Sequence, residues 1–306
     1  MHSTLALALL AFLPSALGQI SKSSKRGLVY VPNAKYPQDD AIWNSDTSDL
    51  TWYYNYGSTP SPAYDNSTKL EFVPMLWGAP SSTSDNTFLN DVMSQIHAGT
   101  NVSYVLTFNE PDGQDNGGSG VPADMAAQTW IREVEPLKKY GVKLGAPAVT
   151  GAPSGFTWLQ NFFAACNGNC SADFIPVHWY GNFEGLASHV GQVRGTYPNM
   201  TIWVTEYADA NVDLADSQSF YNQSSQYFDR IDYITHYSYF GAFRSSVSNV
   251  GPNAAMLTEK GKLTSIGSWY LGGAKTNNIP KGSAGRNAVF AGSGLLVTLV
   301  GFWCLL

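Results

Sequence analysis

Charge is scarce in this chain of 306 residues: Asp, Glu, Lys and Arg together make up 13% of it, and the balance is −6. That inventory cannot build a basic surface, which excludes nucleic acid as a partner. Cysteine is scarcer still, with three residues, and Cys304 falls in a greasy C-terminal tail. The remaining pair, Cys166 and Cys170 in "CNGNC", is spaced for a disulfide, whose Cα atoms lie about 4.4–6.8 Å apart. A CxxxC pair could instead supply half a metal site, but no second cysteine pair completes one, so a disulfide pinning a local loop is expected. The five histidines are scattered at positions 2, 97, 178, 189 and 236, and the first strand-like run, "RGLVYVP", holds none. A barrel-type metal hydrolase would commonly place His-x-His there, so neither a metal nor a cofactor is expected. No GxGxxG follows that first run, which argues against a dinucleotide fold.

What the chain does contain begins with its two ends. "MHSTLALALLAFLPSALGQ" has an apolar run and a small-x-small step at Ala16-Leu17-Gly18, the pattern of a secretory signal peptide over residues 1–18. No charge follows Arg286; Gly282, Ser283 and Ala284 precede a hydrophobic stretch over 286–306. That order matches a glycolipid (GPI) anchor signal, with 272–285 as a stalk carrying the attachment region. A simple transmembrane tail is the competing reading, and it lacks the basic residues that would stop it. Five Asn-x-Ser/Thr sequons, at Asn66, Asn101, Asn169, Asn199 and Asn222, suit a secreted, surface-held or wall-held protein. Contact with the membrane is expected through the lipid only, and the protein is expected to be a monomer.

Residues 19–271 form one domain by length. Along them short β-branched or aromatic runs alternate with helical stretches: "RGLVYVP", "LTWYYNYG", "EFVPMLWG", "YVLTFNEPD", "VKLGAPAVT", "DFIPVHWYG", "TIWVTEYA" and "DYITHYSYFGAF". "DNTFLNDVMSQIHAG", "PADMAAQTWIREVEPLKKYG", "TWLQNFFAAC" and "SQSFYNQSSQYFDRI" read as helices, the second ending on Gly141 as a C-cap. Strands alternating with helices imply parallel βα units, and eight of them imply a closed (β/α)8 TIM barrel. An open doubly wound sheet is the rival; the strand count favours the barrel.

Active sites of such barrels lie at the C-terminal ends of the strands. Glu110 ends the fourth run and Glu206 the seventh, so the two acids should face each other across one mouth. Either alone could be a surface glutamate. Two carboxyls flanking a bond are what glycoside hydrolysis requires, one protonating the leaving oxygen and the other attacking the sugar or activating water. His178 and Tyr180, two apart, should point the same way on their strand. Flat rings are the other requirement for sugar, and Trp77 and Trp179 are candidate subsite floors, whereas "WYYNYG" at 52–57 is ambiguous.

The motifs "FNEPD", "HWYG" and "TEYA", in order on strands four, six and seven, resemble the clan A glycoside hydrolases. The whole series over roughly residues 25–271 is similar to the fungal alkali-sensitive-linkage-type glycosyl hydrolase catalytic domain, glycoside hydrolase family 128. That resemblance implies a retaining β-1,3-glucanase acting on fungal wall glucan. By position, Glu110 then matches the general acid/base, Glu206 the nucleophile, Asn109 the asparagine that holds the hydroxyl next to the reacting carbon, and Tyr180 a hydrogen-bond partner of the nucleophile. His178 is placed with the substrate-binding residues. The family often has tryptophan where this chain has Tyr239, which makes Tyr239 the expected platform under the reacting sugar. Strand alternation sends Asn109 and Glu110 to opposite faces, so both can serve one site only if the strand end is kinked or bulged. Two rival functions share this barrel: a non-catalytic glucan-binding wall protein, and a transglycosylase in which an acceptor sugar replaces water.

Overall fold

A computed structural model describes residues 21–65, 69–115 and 117–282. The signal-peptide stretch, the sequon at Asn66 and the anchor signal from Ser283 onward lie outside the described residues. Among those described, the chain runs β1 (Gly27–Val29), α1 (Asp40–Trp43), β2 (Trp52–Tyr54), β3 (Glu71–Phe72), β4 (Met75–Leu76), α2 (Thr87–His97), β5 (Tyr104–Asn109), α3 (Ala123–Glu133), β6 (Lys143–Ala148), α4 (Pro153–Cys166), β7 (Phe174–Tyr180), α5 (Phe183–Thr196), β8 (Thr201–Ala208), α6 (Leu214–Arg230), β9 (Ile234–Tyr239) and α7 (Ser265–Tyr270).

All pairings between named strands are parallel, in the order β1-β2-β3 and β4-β5-β6-β7-β8-β9. The segments β3 and β4 are one strand of the sequence pattern, "EFVPML", cut in two by Pro74. Proline has no N–H to donate to a ladder; its carbonyl still accepts from Leu106 N at 2.9 Å, while Val73 N reaches back to Tyr53 O. The ring passes from β9 back to β1 through a parallel bridge between Arg26 and Tyr237. Arg26 is fully buried there, donating to Tyr237 Oη, Asp49 Oδ2 and the carbonyls of Ser21, Trp269 and Tyr270. A buried guanidinium is tolerated only with such a set of acceptors. The domain is therefore a single (β/α)8 unit, as the strand rhythm implied.

Aromatic side chains fill the floor of the ring. Trp203 stacks on His236 at 3.7 Å and on Phe174 at 4.3 Å, and touches Tyr104 and Trp52 at 4.9 and 5.0 Å between ring centres. Five different strands thus contribute to one layer, which fixes the spacing of the mouth above it; emptying a site like that of Trp203 costs about 3–5 kcal/mol. Outside, α3 and α4 pack through Trp130, Phe162 and Trp158. After α3 the chain tightens into a 3-10 turn over Glu135–Tyr140 and stops at Gly141 with φ 80°, the left-handed cap its position implied. The Cys166–Cys170 disulfide closes the turn after α4, with 5.5 Å between Cα atoms.

The segment read as a stalk is fastened to the barrel as far as it is described. Ser268 and Ser265 donate to Ala274 O and Thr276 O, Asn278 Nδ2 to Leu263 O, and Ser245 to Lys281 O. Thr276 Oγ1 and Asn278 Nδ2 both donate to Leu263 O.

Candidate active site

At the C-terminal rim, the end of β5 departs from regular strand geometry. Its register against β6 shifts between Val105 and Thr107 and again between Thr107 and Asn109. Phe108 and Glu110 take positive φ, 29° and 41°, a region that side-chain-bearing residues occupy at a cost of about 1–3 kcal/mol. Neighbours hold this conformation: Asn109 N donates to Trp77 O, Glu110 N to Ala148 O, and Ser119 N to Asn109 O, all within 2.8 Å. This is the kink that alternation demanded. Across the mouth, β8 skips a residue against β7, with Val177 opposite Val204 but His178 opposite Glu206. The bulge at Thr205 turns Glu206 inward and Tyr207 outward.

The two acids accordingly meet. One oxygen of Glu110, one of Glu206 and a ring nitrogen of His178 all lie within 4.8 Å of one another. His178 Nδ1 is 3.0 Å from Glu110 Oε1 and 3.6 Å from Glu206 Oε2. Tyr180 donates to Glu206 Oε2 at 2.6 Å and Tyr56 to Oε1 at 2.7 Å; Tyr54 divides its proton between Oε1 at 3.3 Å and Thr205 O at 3.1 Å. Burial pushes all three hydroxyls well above the usual tyrosine range, and the Glu206 charge adds to it, so they remain protonated donors. Burial alone would lower His178; the charges of Glu206 and Glu110, with the hydrogen bond to Glu110, outweigh it and raise its proton affinity. The three acid and imidazole groups are near enough for one cation, yet both oxygens of Glu206 already accept from tyrosine hydroxyls. That leaves Glu206 short of free lone pairs, a poor donor set for a metal.

Glu110, Glu206, His178 and Tyr180 are thus brought together as the sequence implied. Asn109 stands beside them, but its Nδ2 donates to Gly117 O, and its Oδ1 is buried with no partner among the described residues. Trp77, 39% exposed, lines a cleft of about 340 Å³ with Tyr56, Ser58, Pro80 and Ser119; Tyr56 is the residue it shares with the surroundings of Glu206.

Two expectations fail on side-chain direction. Trp179 points away from the mouth: it lies against His189 of α5 with 5.4 Å between rings, and its Nε1 donates to Asn182 O. Since His178 and Tyr180 face inward, alternation requires this. Tyr239 is fully buried behind the wall, against Tyr207, Tyr221 and Tyr270. Tyr239 has no face free for sugar, and the Trp179 ring is turned toward α5 rather than toward the acids. Phe240, one residue on from Tyr239, sits edge-on to Tyr180 at 5.6 Å and keeps 9% exposure, more than Tyr239. Tyr54 and Tyr56 are the residues sequence reasoning left unassigned; their i, i+2 spacing at a strand end was the available signal, the same one that paired His178 with Tyr180.

A parallel eight-fold barrel with two carboxylates meeting at its strand ends defines a glycoside hydrolase. The glycosyl hydrolase catalytic core family matches residues 27–270, and the chain belongs to that family, with a domain of the glycoside hydrolase family 128 type. Alkali-sensitive linkage protein 1 of Schizosaccharomyces pombe is 29% identical over 260 residues; the match covers 82% of this chain and 45% of that protein, so the chain spans less than half its length. A subgroup III curdlan-specific exo-β-1,3-glucanase from Blastomyces gilchristii, solved with glucose, is 27% identical with a TM-score of 0.64, covering 81% of this chain and 97% of that one. A subgroup VII oligosaccharide-binding protein from Cryptococcus neoformans is 25% identical with a TM-score of 0.62, covering 82% and 95%.

Proposed function

We propose that the chain hydrolyses β-1,3-glucan with retention of anomeric configuration, Glu206 acting as nucleophile and Glu110 as acid, then base. The observation that carries this reading is the approach of the two carboxylates to within 4.8 Å between oxygens. Retaining enzymes hold their carboxyls about 5–5.5 Å apart, whereas inverting ones leave about 6.5–9.5 Å for a water. The unequal surroundings agree with unequal roles. Glu206, held by three hydroxyls, is aimed at the sugar carbon; Glu110, with a single side-chain partner among the described residues, keeps a side open to the leaving oxygen. Attack by Glu206 with proton donation by Glu110 gives a glycosyl ester, which water resolves with Glu110 as base. Oδ1 of Asn109 is the acceptor left free for a sugar hydroxyl, Phe240 the rim ring beside the reacting sugar, and Trp77 the floor of the cleft beyond. The β-1,3 linkage is assigned from the glucanase relative.

Glucan binding without turnover is the second reading, favoured by the oligosaccharide-binding relative. Reducing-sugar release from laminarin separates the two. Wild type should release sugar, and Glu110→Gln and Glu206→Gln should each abolish release with the fold intact. Near-normal release by either variant would mean the roles are misassigned; binding without release by the wild type would favour the second reading. The apolar ends and sequons of the sequence support extending the proposal to a glycolipid-held protein of the cell wall, which a phosphatidylinositol-specific phospholipase should liberate.

A further inference from the structure

The double-displacement scheme, on which this inference rests, gives His178 no task. Yet its side chain, 1% exposed, projects from β7 to lie between the acids. The 3.6 Å to Glu206 Oε2 is too long for a hydrogen bond, and that oxygen already accepts from Tyr180. The 3.0 Å contact with Glu110 Oε1 is a hydrogen bond, and it is the only side-chain hydrogen bond Glu110 makes among the described residues. Glu110 is otherwise fixed through its strained backbone, and its side chain keeps 14% exposure at the mouth. One of its oxygens is pinned and the other is not.

We propose that His178 is a positioning residue for the acid step: its Nδ1–H holds Oε1 of Glu110, so that the transferable proton sits on Oε2, the oxygen free to face the glycosidic bond. In the first step the Oε2–H bond breaks and its proton goes to the glycosidic oxygen. The C–O bond to the anomeric carbon breaks with its electron pair leaving on that oxygen, and an electron pair of Glu206 forms the new C–O bond. Glu110 is left as a carboxylate, and Nδ1–H steadies the charge on it. In the second step the water oxygen bonds to the anomeric carbon, the ester bond from that carbon to Glu206 breaks with its electron pair returning to the Glu206 carboxylate, and Oε2 of Glu110 takes the water's proton. His178 neither gains nor loses a proton through the cycle.

The surroundings agree with a ring that keeps a donor at Nδ1. Glu110 and Asp112 act on it from the end of β5 and the turn beyond, and Glu206 from β8; the Tyr54 and Tyr56 hydroxyls near Glu206 come from the end of β2, and Tyr180 from its own strand. Every charged group in that set is negative. Asp112 also ties the turn after Glu110 to Thr150 N and Oγ1, at 2.8 and 2.5 Å, so the pair meets in a braced setting.

The test compares His178→Phe and His178→Gln in the full chain by kcat/KM, which reports the first step. One substrate is a laminari-oligosaccharide; the other is a laminaribioside of 2,4-dinitrophenol, whose phenolate leaves without a proton. His178→Phe should lose about 100-fold on the oligosaccharide, the low end of what general acid catalysis contributes, and at least tenfold less than that on the dinitrophenyl substrate. His178→Gln, which can still donate, should recover part of the loss, and the alkaline limb of the pH profile should move in the Phe variant more than in the Gln variant. Equal losses on both substrates, in either variant, overturn the proposal, as does a Phe variant that loses nothing on the oligosaccharide. If melting shows the Phe variant unfolded, the Gln variant alone decides by the same ratio. An active wild type with equal variant losses refutes this inference only; a wild type inactive on both substrates refutes the double-displacement reading and this inference with it.

Discussion

His236 is an uncharged histidine at the barrel floor, and acid should reveal it. The ring stacks on Trp203 at 3.7 Å and meets the edges of Trp52 and Tyr104, while Lys25 adds a positive charge nearby. Burial, and then Lys25, push its pKa down to about 4 from the ordinary 6.5. A lowered histidine means the unfolded chain binds a proton that the native protein refuses. Stability should therefore be unaffected above about pH 6.5 and fall as pH drops from there toward 4. Each pH unit between those two values corresponds to about 1.4 kcal/mol, so the full penalty nears about 3 kcal/mol and about 2 kcal/mol has accrued by pH 5. Partial exposure of the ring screens some of this, leaving about 1–2 kcal/mol at pH 5. His236→Phe keeps an aromatic ring in the stack and removes the titration. Urea unfolding of both proteins at pH 7.5 and pH 5 isolates the effect, because the carboxylates and His178 are common to both and cancel in the difference. The stability gap between Phe variant and wild type should move in favour of the variant by that amount on acidification; a gap that stays constant would refute the reasoning.

Other substitutions follow from contacts at the mouth and behind it. Tyr180→Phe and Tyr56→Phe each remove a short bond to the Glu206 charge, worth about 1.5–3 kcal/mol, and should lower kcat about 10- to 100-fold. Tyr54→Phe, whose contact is 3.3 Å and shared, should cost less; the order of the three kcat values is the check. Gly118→Ala should depress both activity and melting temperature, because a Cβ there falls against the carbonyls of Gly113 and Glu110, the latter at 2.9 Å; unchanged kinetics would show that this loop does not set Glu110. Trp77→Ala should raise KM for laminari-oligosaccharides with kcat nearly kept, whereas Trp179→Ala, packed on α5, should lower the melting temperature and leave KM alone.

Much of the barrel was legible because its strands are short runs of β-branched and aromatic residues. The acids were legible because "FNEPD" and "TEYA" put them at strand ends. Less visible was whatever depends on register. Pro74 splits one run into β3 and β4, and the helix α5 carries Gly185, Gly191 and Gly195, each poor for helix propagation, so the pattern does not announce it. Trp179 and Tyr239 went astray for a common reason: an aromatic at a strand end suggests a sugar platform, but alternation decides which way it faces. For Trp179 that decision could have been read from its neighbours. For Tyr239 it could not, since β9 shifts register twice against β8. The bulge at Thr205 is likewise invisible in sequence, though without it Glu206 would face the helices.

Anomeric configuration tests the paired-glutamate mechanism most directly. Proton NMR of a laminari-oligosaccharide digest, followed through its first minutes before mutarotation equalises the anomers, should show the β-anomer of the newly formed reducing end appearing first. Initial release of the α-anomer would contradict an ester on Glu206 and the account built on it.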